Sequence, residues 1–77
     1  MDINVKFCRA LLAAVMADVA AHTTAEQRKI AYVYHFTGDS WEFHGPKGFY
    51  WHGSADNAYH ARAQGWQAWL RKEGHDA

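Results

Sequence analysis

The residues best suited to chemistry in this 77-residue sequence are histidines and a glutamate on predicted strands. A two-residue turn at Gly38-Asp39 would place His35 opposite Glu42, and a three-residue loop at 46–48 would place Glu42 opposite His52. Directly opposed side chains on an antiparallel sheet lie ~5 Å apart. Two imidazoles and a carboxylate are suitable ligands for zinc or another divalent transition metal. One candidate metal site follows, formed by His35, Glu42 and His52.

A second interpretation of the same surface is a contact site for a protein. The predicted open face of the sheet carries imidazoles and a phenol, whereas a solvated surface would be rich in lysine and glutamate. Aromatic and histidine anchors in a nearly neutral patch are suited to act as interaction hot spots. The candidate partner-binding residues are His35, Glu42, His44, Tyr50 and His52 on this face, with Lys47 at the hairpin tip.

Patterns typical of enzymes are absent from the sequence. There is no serine in a Gly-x-Ser-x-Gly context, no glycine-rich phosphate loop and no pair of carboxylates sharing a helix face. The single cysteine, Cys8, lies on the apolar stripe of the first predicted helix, where a thiol usually serves as a small buried hydrophobe. We therefore predict a protein that is not an enzyme and that uses no cofactor.

The elements that position these residues follow from periodicity and from turn signals. Apolar residues at spacings of three and four indicate helices, and alternating segments between glycine-rich turns indicate strands. The predicted elements are a helix at about 3–21, strands at about 29–37, 40–45 and 48–53, and a helix at about 55–73. We expect Asp2 to cap the first helix, Ser54 or Asp56 to cap the second, and Gly74 to follow its end.

These elements predict a single α+β domain with the order α-β-β-β-α. Both helices would cover one face of a three-stranded antiparallel meander, which makes a two-layer structure. The predicted registers bring the large aromatic residues of the strands to that covered face, namely Tyr34, Phe36, Trp41, Phe43 and Trp51. The buried stripe of the second helix is predicted as Ala55, Ala58, Tyr59, Ala63, Trp66, Trp69 and Leu70.

A chain of this size has a small core, and such domains commonly gain stability from disulfides, metals or self-association. A single cysteine excludes an intrachain disulfide. The first helix has an alanine-rich side on which a second copy could approach closely, which predicts a homodimer. The alternative is that alanine is present only because it favours helix. The candidate self-association residues are Ala10, Ala13, Ala14, Ala17 and Ala21.

Nucleic-acid binding is an alternative suggested by the order of elements. The α-β-β-β-α order resembles that of double-stranded-RNA-binding domains. That resemblance implies a lysine cluster at the start of the second helix, where this sequence has Ser-Ala-Asp-Asn-Ala-Tyr at residues 54–59. The three strands followed by a helix resemble AP2 DNA-binding modules, but histidines and Glu42 stand where that resemblance implies arginines and tryptophans. The formal charge is zero, with eight basic and eight acidic residues. The sequence therefore lacks the basic excess that phosphate binding requires.

The function predicted from these observations is that of a small interaction module, an inhibitor or adaptor that covers a surface of a larger protein. Compact, aromatic-rich α+β proteins are typical of accessory proteins of bacteriophages and mobile elements, such as anti-CRISPR proteins, which is an analogy of size and composition. A nucleic-acid-binding module and a metal-binding domain are the alternatives. Acidic Asp2 and Asp18 disfavour a secretory signal, and no segment is typical of a membrane span, so we expect a cytoplasmic protein.

Overall fold

Two long helices and a three-stranded sheet make up the computed structural model, which describes the backbone of residues 2–75 and the side chains of residues 12–75. The elements are α1 (Asp2–His22), α2 (Ala25–Ile30), β1 (Tyr32–His35), β2 (Ser40–His44), a 3-10 turn (Pro46–Gly48), β3 (Tyr50–Ser54) and α3 (Ala58–Lys72). The α+β class and the α-β-β-β-α order are confirmed. The predictions for Asp2, Cys8 and Ala10 concern side chains that lie outside the described part of the chain. None of the described helices is long and apolar enough to cross a membrane.

Helix α1 packs mainly against α3 and uses one side to do so. Leu12, Val15 and Val19 recur at spacings of three and four and are buried in the common core. The alanines of the opposite side are exposed, namely Ala13, Ala14, Ala17 and Ala21. Their predicted role in self-association stays a prediction.

Helix α2 occupies residues that were expected to begin the first strand. The Thr24 hydroxyl accepts a bond from the Gln27 backbone N–H (3.1 Å), and Gln27 Oε1 accepts from the Thr24 N–H (2.9 Å). This capping box satisfies two backbone donors and stabilises a helix of six residues. The first strand therefore begins at Tyr32 rather than near residue 29.

The three strands form an antiparallel sheet in the order β1-β2-β3. The β2–β3 hairpin has the predicted register, with Phe43 opposite Trp51 and Glu42 opposite His52. Its loop is the expected three residues, because the Gly45 N–H donates to the Phe49 carbonyl (2.8 Å) and closes the ladder.

The β1–β2 hairpin differs from its prediction by one residue. The expected turn at Gly38-Asp39 is present, since the Ser40 N–H donates to the Thr37 carbonyl (3.0 Å) and Gly38 has a φ of 57°. The Phe36 N–H, however, donates to the carbonyl of the same Ser40 (3.0 Å). Phe36 and Thr37 both oppose one residue, which is a β-bulge.

The extra residue of the bulge reverses the two faces of β1, because side chains alternate with a period of two. Tyr34 lies opposite Glu42, and His35 lies opposite Trp41. The predicted covered face is therefore wrong for Tyr34 and Phe36, which point away from the helices. The covered face consists of Val33, His35, Trp41, Phe43, Trp51 and Gly53.

Helix α3 begins later than predicted. Its N-cap is Asn57, whose Oδ1 accepts from the His60 N–H (3.0 Å). Neither Ser54 nor Asp56 is the cap, because Ser54 still belongs to β3 and the next residue, Ala55, donates its N–H to the Asp39 carbonyl (2.9 Å).

The end of α3 agrees with its prediction. Gly74 follows the helix with a φ of 81°, and the His75 N–H donates to the Leu70 carbonyl (2.8 Å).

The core lies between α3, the covered face and α1. The Phe43 and Trp66 rings meet at a centroid distance of 5.1 Å, and both side chains are fully buried. Tyr59 was predicted in the buried stripe of α3 but is 49% exposed. The buried core cluster is Leu12, Val15, Val19, Phe43, Ala63, Trp66, Trp69 and Leu70.

Candidate functional site

The candidate site is the face of the sheet that points away from α1 and α3, here called the open face. Its aromatic side chains are unusually accessible, because Tyr32, Tyr34, Phe36 and Tyr50 are between 48% and 53% exposed. Alternation along the paired strands brings these rings and the polar residues of β2 and β3 together. The open face consists of Tyr32, Tyr34, Phe36, Ser40, Glu42, His44, Tyr50, His52 and Ser54.

Glu42 is the central polar residue of the open face and makes two short hydrogen bonds. Its Oε2 accepts from the Tyr50 hydroxyl (2.6 Å), and its Oε1 lies 2.9 Å from His44 Nε2. An ionised carboxylate only accepts hydrogen bonds, so Nε2 is the protonated nitrogen of His44 in this contact. The hydrogen bond from Tyr50 lowers the pKa of Glu42 most, and the hydrogen bond from His44 lowers it further. The same bond to Glu42 raises the pKa of Tyr50.

Ring contacts extend this network across the sheet. The rings of Tyr32 and His44 stack at a centroid distance of 4.6 Å, and the Tyr50 ring contacts both His44 (5.3 Å) and His52 (5.8 Å). At the β1 end, the Tyr34 and Phe36 rings meet edge to face at 5.2 Å. The neighbouring rings therefore restrict one another before any ligand binds.

A shallow groove of about 490 Å³ runs along the end of the sheet beside this network. Among the described residues that line it, Glu42 alone carries a formal charge, and Phe36 and Tyr50 contribute aromatic surface. The remaining lining residues are Ser40, Trp41, His52, Gly53 and Ser54.

Four of the six predicted partner-binding residues lie together on the open face: Glu42, His44, Tyr50 and His52. His35 does not, because the bulge turns it to the covered face, where its ring stacks on Trp41 (4.2 Å). Lys47 is also elsewhere. It lines a separate cavity of about 190 Å³ with His22, Lys72 and His75.

The predicted metal site at His35, Glu42 and His52 is not formed. His35 lies on the opposite face from the other two residues, and its Nε2 is 2.7 Å from the Gly38 carbonyl oxygen. Among the described residues, no group of three histidine, cysteine, aspartate or glutamate side chains is arranged to hold a metal ion.

Sequence reasoning missed Tyr32, Tyr34 and Phe36 as members of the site. The signal that could have found them is the identity of Val33, the only β-branched residue of β1. A valine can be buried without a hydrogen-bond partner, whereas a buried tyrosine needs one for its hydroxyl. Placing Val33 in the core exposes both tyrosines, which is the arrangement observed.

The function of this face has to be inferred from its geometry, because the chain matches no protein-family model, no curated protein and no solved structure. The lowered pKa of Glu42 keeps its carboxylate ionised at neutral pH, whereas a general acid or base works best with a pKa near the operating pH. The geometry thus offers exposed aromatic rings around one fixed negative charge, which is suited to binding.

Proposed function

We propose that this protein is a non-enzymatic binding module that contacts a larger protein through the open face and acts as an inhibitor or adaptor. The observation that carries the proposal is the group of four half-exposed aromatic side chains, Tyr32, Tyr34, Phe36 and Tyr50, on one face of the sheet. Contiguous apolar patches on a protein surface commonly mark interaction sites, and aromatic residues are enriched there.

The size of the patch is suited to a protein partner. Aromatic side chains bury 150–250 Å² each, so the exposed halves of four rings offer on the order of 400 Å². That is about half of the ~800 Å² that each partner contributes to a stable protein interface. The polar rim residues of the open face would supply the remainder.

The network around Glu42 lowers the cost of binding. Ordering a flexible side chain at an interface costs about 0.5–1.5 kcal/mol. Tyr50 is held by its hydrogen bond to Glu42, and Tyr32 by stacking on His44. These rings lose less conformational freedom on binding than freely rotating side chains would.

Charge favours a protein over a nucleic acid as the partner. The open face carries one formal charge, the negative charge of Glu42, and none of its residues is lysine or arginine. Nucleic-acid binding depends on cations that neutralise phosphates. We also place the activity in the cytoplasm, because secreted domains of this size are usually rich in disulfides and this sequence has one cysteine.

The experiment that tests the proposal is affinity capture from a lysate of the source cells with three forms of the protein: wild type, Tyr34→Ala and Tyr59→Ala. Tyr59, on α3, is the matched control, since it is 49% exposed and Tyr34 is 53% exposed. We expect one protein to be captured by the wild type and by Tyr59→Ala after nuclease treatment and at high salt. Tyr34→Ala should fail to capture it.

Two results would contradict the proposal. One is equal capture of the partner by Tyr34→Ala, which would place the contact elsewhere on the molecule. The other is recovery that disappears after nuclease treatment, which would indicate a nucleic-acid ligand. An NMR spectrum of each variant establishes that it is folded.

A further inference from the structure

We propose that Glu42 is the centre of a recognition site for an arginine side chain of the protein partner. This inference rests on the proposed function and names the chemistry by which the open face would select its partner.

Glu42 lies at the middle of the open face. It belongs to the central strand β2, with Tyr34 opposite it on β1 and His52 opposite it on β3. Cross-strand neighbours on one face are within contact distance, so a ligand on the carboxylate also meets side chains from both flanking strands. Glu42 lines the groove of about 490 Å³, and its side chain is 18% exposed.

The carboxylate has one acceptor position left on each oxygen. Each oxygen of an ionised carboxylate can accept two hydrogen bonds, and among the described residues each oxygen of Glu42 accepts one, from Tyr50 or from His44. A guanidinium group presents parallel N–H donors in a fixed fork that matches two such oxygens. The bonds from Tyr50 and His44 also fix the orientation of the carboxylate, so little side-chain freedom remains to be lost on binding.

The rings around Glu42 favour arginine over lysine. Guanidinium is planar and weakly hydrated and stacks on aromatic faces, whereas an ammonium is compact and strongly hydrated. Tyr34 flanks the carboxylate across the strands, and Phe36 and Tyr50 line the groove beside it. The site therefore provides both a bidentate acceptor and aromatic surface.

The charge of the open face is complementary to a cation. Among its residues, Glu42 alone carries a formal charge at neutral pH. Among the described residues the hydrogen-bond partners of this carboxylate are Tyr50 and His44, and neither is a lysine or an arginine. A cationic side chain of a partner would compensate this charge, whereas a phosphate or a carboxylate would be repelled.

The test is an NMR titration of the ¹⁵N-labelled protein with N-acetyl-arginine amide, N-acetyl-lysine amide and N-acetyl-citrulline amide. Citrulline has nearly the shape of arginine but no charge. We expect saturable shifts at Tyr34, Glu42, Tyr50 and His52 with arginine, weaker shifts with lysine and none with citrulline. Glu42→Gln should weaken arginine binding about tenfold or more, because a hydrogen-bonded charge is lost. Tyr34→Ala should also weaken it, and Tyr59→Ala should not.

Three results would overturn the inference: no saturable shift with arginine, equal shifts with citrulline, or unchanged arginine binding in folded Glu42→Gln. The arginine–citrulline comparison uses the unmodified protein, so it does not depend on the folding of a variant. If the protein instead binds single-stranded RNA or forms a dimer, and Tyr34→Ala abolishes that binding or that dimer, the open face has a different ligand and the arginine inference is wrong. If the titration fails while affinity capture still depends on Tyr34, the inference is wrong and the proposed function stands.

Discussion

At the scale of single residues, the carboxylate of Glu42 controls both the charge of the open face and the order of its rings. Hydrogen bonds from Tyr50 and His44 lower the pKa of Glu42 and so favour its ionised form. The bond between Tyr50 and Glu42 in turn raises the pKa of Tyr50. A glutamate whose pKa is lowered by folding stabilises the folded state above its ordinary pKa, and the contribution is lost as pH falls. A tyrosine whose pKa is raised contributes below its ordinary pKa, and the contribution is lost as pH rises.

The first prediction is a pH-dependent effect of Glu42→Gln on stability. The free energy of unfolding should differ most between wild type and variant from pH 4.5 to pH 10.0, the ordinary pKa values of the two groups. The difference should shrink below this range as Glu42 is protonated, and above it as Tyr50 loses its proton. Urea unfolding followed by tryptophan fluorescence across this range measures it. Glu26→Gln, an exposed carboxylate, is the control, and parallel pH profiles for wild type and Glu42→Gln would disprove the expectation.

At the scale of elements, the bulge before Gly38 determines what the open face is. The turn residues Gly38 and Asp39 were recognisable in the sequence, because glycine at the first central position suits a two-residue hairpin turn. The bulge itself, in which two residues of the first hairpin oppose Ser40, was not recognisable in the sequence. It depends on which side of β1 fits the core. The position of His35 was therefore predicted wrongly, although its strand was predicted.

The second prediction follows from this bulge. Deleting Thr37 should leave β1 in its present register, because Phe36 already donates to the Ser40 carbonyl and can close the two-residue turn itself. Cross-strand NOEs between Tyr34 and Glu42 should persist in the variant.

The control for this deletion is the removal of a residue from the paired part of β1, on the strand side of the hydrogen bond between Phe36 and Ser40. Deleting Val33 instead removes a residue from the ladder and from the core, and the NOEs between Tyr32 and His44 should be lost because the residues before the deletion shift by one position. In the Thr37 deletion both pairs of NOEs, Tyr32 with His44 and Tyr34 with Glu42, should persist, and their loss would show that the bulge residue is required for the register.

The rest of the fold was predictable where local signals agree with the packing. The β2–β3 register, the buried Phe43 and Trp66, and the end of α3 at Gly74 all follow from alternation, periodicity or a glycine signal. The start of α3 was not predictable, since three residues near it can act as caps and the continuation of β3 decides among them. In the site, Glu42 and its β3 neighbours were predicted, and the tyrosines of β1 were not.

At the scale of the whole molecule, one glycine sets the distance between α3 and the sheet. Gly65 is buried, and a Cβ atom added to it would lie 2.6 Å or less from three side-chain atoms of Phe43. Helix and sheet can approach this closely only because residue 65 has no side chain. Glycine lowers helix propensity, so its presence in the middle of α3 is explained by this packing.

The third prediction is that Gly65→Ala destabilises the protein. Helix propensity alone would make the change stabilising by about 0.5–1 kcal/mol. The overlap with Phe43 should outweigh this and lower the free energy of unfolding by about 2–3 kcal/mol. Chemical denaturation measures the effect, with Ala68→Gly on the same helix as a control for propensity. A gain in stability for Gly65→Ala would show that α3 sits farther from β2.

Helix α3 packs against α1 and against all three strands, and it is the last of these elements to be translated. While the ribosome is still synthesising it, the apolar side of α1 and the covered face of the sheet have no partner. The nascent chain therefore cannot assemble its core before α3 has left the exit tunnel. Until then, the exposed Leu12, Val15 and Phe43 are the surfaces that a ribosome-associated chaperone would protect.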